Sequence, residues 1–201
     1  MAEAASTFST YESLSPFLRR SDSNPRPVVL MTCGVAGSGK SSLSKWTCTA
    51  HPSFKRLSID SYIYTNYGLY GIDYPKEKYN EYQEEAEAAL RDELVKLVEQ
   101  GSQDVILDFS FAFQATREEW KGLVEGAGGR WVLVYLQVEP DELRRRIRER
   151  NALAVKDKDG DSAFFVTEQV LESFIRGFES PVGEGEVVLC LDKDNGVPGG
   201  I

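Results

Sequence analysis

An octapeptide, Gly34-Val35-Ala36-Gly37-Ser38-Gly39-Lys40-Ser41, limits the folds open to this chain more than any other stretch. It follows a compact apolar run, Val28 to Met31, and precedes Ser42-Leu43-Ser44-Lys45-Trp46, which can continue as a helix. A strand that runs into a glycine loop and then a helix is the context in which this spacing wraps a polyphosphate. Backbone N–H groups do the wrapping, and glycine lets the main chain come that close at positive φ without a Cβ clash. Gly34, Gly37 and Gly39 supply that freedom, with Ser38 between them. Lys40, at the start of the helix, can reach the β and γ phosphates. The Ser41 hydroxyl can ligate Mg²⁺, Ser42 belongs to the same first turn, and the helix N-terminus favours the anion.

With 201 residues and 41% apolar content, the chain suits one globular domain with a sizeable core. A formal net charge of −9 disfavours a broad nucleic-acid or membrane surface, so a small-molecule partner is expected. Three cysteines, Cys33, Cys48 and Cys190, lack paired metal-type spacing and read as reduced residues. The sequence has no apolar run of membrane-spanning length and no basic patch followed by a hydrophobic core at its start. A cytoplasmic protein, monomeric or a weak homodimer, is the expectation. His51, the single histidine, has no acidic or cysteine partner at ligand spacing and reads as a surface residue.

Residues 1–26 are rich in Ser, Thr, Ala and Pro and read as a mobile lead, within which Tyr11, Leu14, Phe17 and Leu18 have the spacing of one short helix. Residues 27–201 read as the single domain. From Val28 onward strand-like and helix-like segments alternate. Strands are expected from Val28 to Cys33, Phe54 to Asp60, Val105 to Asp108, Trp131 to Val138 and Glu186 to Leu191. Helices are expected from Lys40 to Thr49, Lys76 to Glu99, Thr116 to Glu125 with Thr116 as N-cap, Pro140 to Asn151 and Thr167 to Phe178. Tyr62 to Tyr74 reads as irregular. Repeated βα units with continuous apolar strands predict an α/β fold, a parallel sheet covered on both faces.

In such sheets ligands collect beyond the carboxyl ends of the strands. Asp60 and Asp108, read as strand ends, should therefore share a rim with the glycine loop. One can support Mg²⁺ and the other can take a proton from an attacking hydroxyl; turn or cap roles are the alternative for either. The helix from Asp141 to Asn151 carries five arginines. Arg146 and Arg150 lie one turn apart on one flank, where arginine can stack on a base or fork to phosphate, whereas Arg144, Arg145 and Arg148 read as a solvated face. Seven of the nine tyrosines fall between Tyr62 and Tyr82. They either wall an acceptor pocket, with Tyr64 and Tyr70 as candidates, or pack among themselves. Phe111 after Asp108 is a candidate for the opposing wall, and Arg117 for pairing with an anionic group on the acceptor or with a nearby carboxylate.

The glycine loop, the Asp60 segment, Val105-Ile106-Leu107-Asp108-Phe109-Ser110-Phe111, Leu143-x-x-Arg146-x-x-x-Arg150-Asn151 and Phe178-Glu179-Ser180-Pro181 together resemble the small P-loop kinases grouped as AAA-type ATP-binding domains. These include relatives of polynucleotide kinase, zeta toxin and the chloramphenicol and gluconate kinases. The resemblance implies a three-layer fold with a five-stranded parallel sheet in the order 2-3-1-4-5, ATP and Mg²⁺ as cofactors, and a small lid over residues 152–165. It implies Lys40, Asp60 and Arg150 as catalytic residues and Arg146 against the adenine. Ser41 and Asp108 would serve the metal, and Asp192 to Val197 would border the adenine. The implied activity is γ-phosphoryl transfer to a hydroxyl on a small molecule. A polynucleotide 5′-hydroxyl kinase and a nucleotide-dependent switch for a protein partner are the competing classes.

Overall fold

The computed structural model describes residues 6–191. Its sheet has six parallel strands: β1 (Ser6–Phe8), β2 (Val28–Cys33), β3 (Phe54–Leu57), β4 (Asp104–Leu107), β5 (Arg130–Gln137) and β6 (Val187–Cys190). They lie in the order β1-β6-β5-β2-β4-β3. The helices between them are α1 (Ser15–Leu18), α2 (Lys40–Ala50), α3 (Ile59–Tyr67), α4 (Tyr79–Gln100), α5 (Gln114–Gly126), α6 (Pro140–Asn151) and α7 (Glu168–Gly177).

The central strand β2 is buried along its whole length. Its side chains alternate between two cores, as a pleated strand demands. Val29 and Met31 join Leu94, Leu97, Trp120 and Val124 from α4 and α5 on one face. Val28 and Leu30 join Leu43 of α2 and Leu136 of β5 on the other. Sheet burial on both faces explains why the strands read as unbroken apolar runs.

The expected sheet of five strands is corrected to six. The five expected strands keep the expected order, and β1 adds to the edge by pairing Ser6, Thr7 and Phe8 with Val187, Val188 and Leu189. Three residues are too few to display strand alternation, and β1 finds its partner at the far end of the chain. Residues 6–26 are accordingly folded onto the sheet, in contrast to the mobile lead expected. Tyr11, Leu14 and Leu18 are buried there at the spacing that predicts a short helix.

Two further boundaries move. The stretch read as irregular from Tyr62 begins inside α3, which starts at Ile59 because the Ser58 hydroxyl accepts a hydrogen bond from the Ser61 N–H at 3.3 Å and caps the helix. Helix α5 is entered from Phe113 without a side-chain cap, so Thr116 lies inside it. Among the described residues no helix is long and apolar enough to cross a membrane.

Candidate active site

Strand β2 delivers the chain into the glycine loop, where Gly37 and Gly39 take φ of 86° and 101°. Those values favour glycine and turn successive amides inward. Lys40 folds back over the concavity, its Nζ donating to the carbonyls of Gly34 and Val35 at 3.0 and 3.1 Å. Burial lowers its pKa, with Asp108 and Asp60 pulling it back up and Arg150 adding to the fall. The buried Ser38 hydroxyl has no hydrogen-bond partner. A loop whose ammonium rests on its own carbonyls, beside an unpartnered buried hydroxyl, fits a polyphosphate that would accept from both.

The loop floors a cleft of about 1150 Å³ that gathers Asp60, Asp108, Tyr70, Arg146 and Arg150. Single small-ligand pockets span about 300–1,000 Å³, so this cleft has room for a nucleotide and a second molecule. Gly34, Gly37, Gly39, Lys40, Ser41 and Ser42 all line it. Residues from Asp192 onward, which the sequence places beside the adenine, lie outside the described residues.

Asp60 is in the first turn of α3, three residues past the end of β3, in place of the strand end expected. It opens onto the water of the cleft yet is crowded by protein, and that crowding raises its pKa. Asp108 raises it further, against Lys40 and Arg150. Asp108 directly follows β4 and is only 8% exposed. Its Oδ2 accepts from Arg56 Nε at 2.8 Å and Nη2 at 2.5 Å. The two carboxylates thus differ: one is matched by a forked cation and the other is not.

Arg146 and Arg150 face the cleft from α6, and Leu143 and Ile147 are buried. Arg146 is steadied by Glu142 at 2.8 Å and its Nη1 approaches the Gly37 carbonyl at 3.3 Å. Arg150 has a buried Nε without a partner, and burial lowers its pKa while Asp60 and Asp161 oppose the fall. An anion beside it would meet an unpaired donor. Arg144 pairs with Asp141 and Glu172 on the outer face; Arg145, though it touches the cleft, is committed to Glu142 and Glu149.

Three sequence candidates fall away. Tyr64 does not line the cleft, because α3 turns it aside. Phe111 is buried at 3% exposure against Phe109 and Trp120 in the core. Arg117 is 1% exposed and fully used: it forks onto Glu184 at 2.7 and 2.6 Å and donates to the carbonyls of Phe111 and Glu179. It ties the loop after β4 to the segment before β6. Replacing Arg117 with methionine leaves buried Glu184 only its longer pair with Lys121 at 3.6 Å, and a loss toward the lower end of about 3–5 kcal/mol is expected by urea unfolding.

Tyr11, Tyr79, Asn80 and Phe164 also line the cleft; Tyr79 falls within the tyrosine run and Phe164 within the expected lid, but none of the four is singled out by the sequence as a site residue. Tyr11 comes from the segment before β2 and packs against Trp46 of α2, ring centroids 5.6 Å apart and planes tilted by 44°. Tyr70 and Tyr79 meet Phe164 at 4.5 and 4.6 Å, closing an aromatic wall around Asp60's side of the cleft. Burial and then Asp60 raise the Tyr79 phenol. The clustering of tyrosines was the one available signal, and it does not say which rings face inward.

Residues 29–181 match the AAA domain family, well over half of the chain. The chain belongs to that family. Among curated proteins none matches this AAA domain chain in sequence. Solved structures match it in fold. A candidate kinase from Chloroflexus aurantiacus superposes with a TM-score of 0.63 at 20% identity, over 83% of this chain and 85% of that one. A chain of the Pnkp1/Rnl/Hen1 RNA repair complex gives 0.61 at 16% identity, over 76% of this chain but 44% of its own length. Kti12 from Chaetomium thermophilum, solved with ADP-AlF3, gives 0.56 at 13% identity, over 83% and 92%. At these identities the likeness establishes a P-loop kinase-type fold.

Proposed function

We propose that this AAA domain chain is an ATP-dependent kinase that transfers the γ-phosphoryl group to a hydroxyl of a small molecule. The observation that carries the reading is the convergence of Lys40, Asp60 and Asp108 on one cleft that has room beyond the loop for an acceptor. Lys40 and the loop amides hold the donor phosphates. Arg150 stabilises charge developing on the transferred group, and Arg146 lies where the nucleotide leaves the loop.

The carboxylates divide the remaining work by their surroundings. Arg56 donates twice to one oxygen of Asp108 and leaves the other to spare, which suits Asp108, with Ser41, to hold Mg²⁺. When bound, the metal would neutralise charge between the donor phosphates. No group of three or more His, Cys, Asp or Glu converges as a dedicated metal cage among the described residues. Mg²⁺ in kinase sites is commonly held by only one or two carboxylates, substrate phosphates and water. Asp60, with its raised pKa, takes the acceptor's proton as the new O–P bond forms and the bond to the departing ADP breaks.

Two assays test this reading. Binding of Mg-ATP by calorimetry is expected, and a purified protein that never bound Mg-ATP would sink it. Labelled γ-phosphate is expected to reach small hydroxylated molecules and not oligonucleotide 5′ ends; oligonucleotide labelling would favour the polynucleotide reading. The net charge of −9 supports the small-molecule side, since a strand channel needs a basic track. A cytoplasmic location and a monomer or weak homodimer belong to the same proposal.

A further inference from the structure

Residues 152–165 follow α6 and cross the mouth of the cleft, and their tip is built to dock. The Ser162 Oγ donates to Asp159 Oδ1 at 2.8 Å and accepts from the Asp159 N–H at 2.9 Å, which closes a tight local turn. Gly160 in that turn lies flat on the first turn of α3: a Cβ added there would stand 3.1 Å from the Ser61 Cα, beside Asp60. A side chain there would be tighter than ordinary van der Waals contact and would press the tip a few tenths of an ångström off that backbone.

Asp161 then reaches two separate elements. Its carboxylate pairs with Lys45 Nζ of α2 at 2.6 Å. It also pairs with Arg56 Nη2 of β3, whose same guanidinium holds Asp108. The Arg56 and Asp161 side chains are 19% and 14% exposed, so water screens this link less than the surface pairs elsewhere on the chain. Arg56 is therefore shared between a cleft carboxylate and the tip of the crossing segment. A lysine could satisfy one carboxylate as a point charge, but not both with a planar fork.

We infer that Arg56 is a positioning residue that holds Asp108 and, through Asp161, fastens residues 152–165 as a lid, so that lid closure and the placement of Asp108 are one coupled element. The inference rests on the kinase reading for its purpose but not for its test, because the latch is made of contacts within the chain and its exchange can be read without turnover. Arg150, in the last turn of α6 where the lid begins, and Phe164, near the lid's far end, both reach the cleft and meet at 3.5 Å, Nη2 to carbonyl, so releasing the tip loosens the donor and acceptor sides together.

The test is hydrogen exchange of residues 152–165 in the ligand-free full chain, with thermal unfolding to establish that each variant is folded. Asp161→Asn is expected to speed exchange in this segment roughly tenfold, with the central strands unchanged. Arg56→Lys is expected to do the same. The double variant should exchange no faster than Asp161→Asn alone, since that change already removes both of Asp161's pairs, with Arg56 and with Lys45. Arg144→Ala, which breaks an outer-face pair, should leave the segment's exchange at the wild-type rate. In a turnover assay with Mg-ATP, Asp161→Asn is expected to raise KM for ATP severalfold with kcat nearly kept. Unchanged exchange in Asp161→Asn, or additive effects in the double variant, would overturn the latch. Fast exchange in a chain that never phosphorylates anything would uphold the latch and count against the kinase reading alone.

Discussion

Lys40→Ala is expected to abolish the proposed phosphoryl transfer, with a fall in kcat of about 10³-fold or more. Its ammonium is held by two loop carbonyls in the structure, at the centre of the concavity that the glycines form. Among the described residues the other lysines that line the cleft are committed elsewhere: Lys45 is engaged with Asp161, and Lys76 lies above the Tyr70 ring. The fold should survive the change. Burial lowers the pKa of Lys40, so its charged form costs stability in the folded chain, and removing it relieves that cost. A dead enzyme with an unchanged or higher melting temperature is the expected pair of results, read by ADP release and by calorimetry.

Asp60→Asn comes next in size, with kcat expected to fall by about 10²–10⁴-fold and ATP affinity largely kept. The same substitution tests the electrostatics. Crowding and the neighbouring Asp108 raise the Asp60 pKa from its ordinary value of 3.8, so the folded chain holds that proton more tightly than the unfolded one. The associated stability is fully present below the ordinary value and is lost as pH rises through the raised one. At neutral pH the anion therefore destabilises the fold, and Asp60→Asn should raise the melting temperature there. In the wild type, activity should fall on acidification at a pH above the ordinary carboxylate range, and that limb should vanish in the residual rate of Asp60→Asn. A wild-type transfer rate in Asp60→Asn would refute its role as base.

The glycine loop and the arginine pair that line the cleft were legible in the sequence because their determinants are local. Glycine spacing, Lys40 and the one-turn separation of Arg146 and Arg150 are fixed by chain geometry over a few residues. Asp108 was legible for a similar reason, directly after an apolar strand. Asp60 was found by its neighbourhood but placed on the wrong element, since the single hydroxyl of Ser58 decides where β3 gives way to α3. What the sequence hid depends on partners distant along the chain. Arg117 has the look of a ligand-binding arginine until Glu184 is seen beneath it. Arg56 sits among ordinary strand residues, and its value comes from Asp108 and Asp161. Strand β1 is invisible until β6 supplies the register, and Tyr11 reaches the cleft only because that edge is built.

The central claim is that the cleft joins a phosphate donor to a hydroxyl acceptor. ADP release by the purified chain with Mg-ATP, measured with and without a library of small hydroxylated molecules, tests it most directly. The account predicts little release alone, and release matched mole for mole by phosphorylated product with the right acceptor. Steady release of free phosphate that no acceptor alters would contradict it.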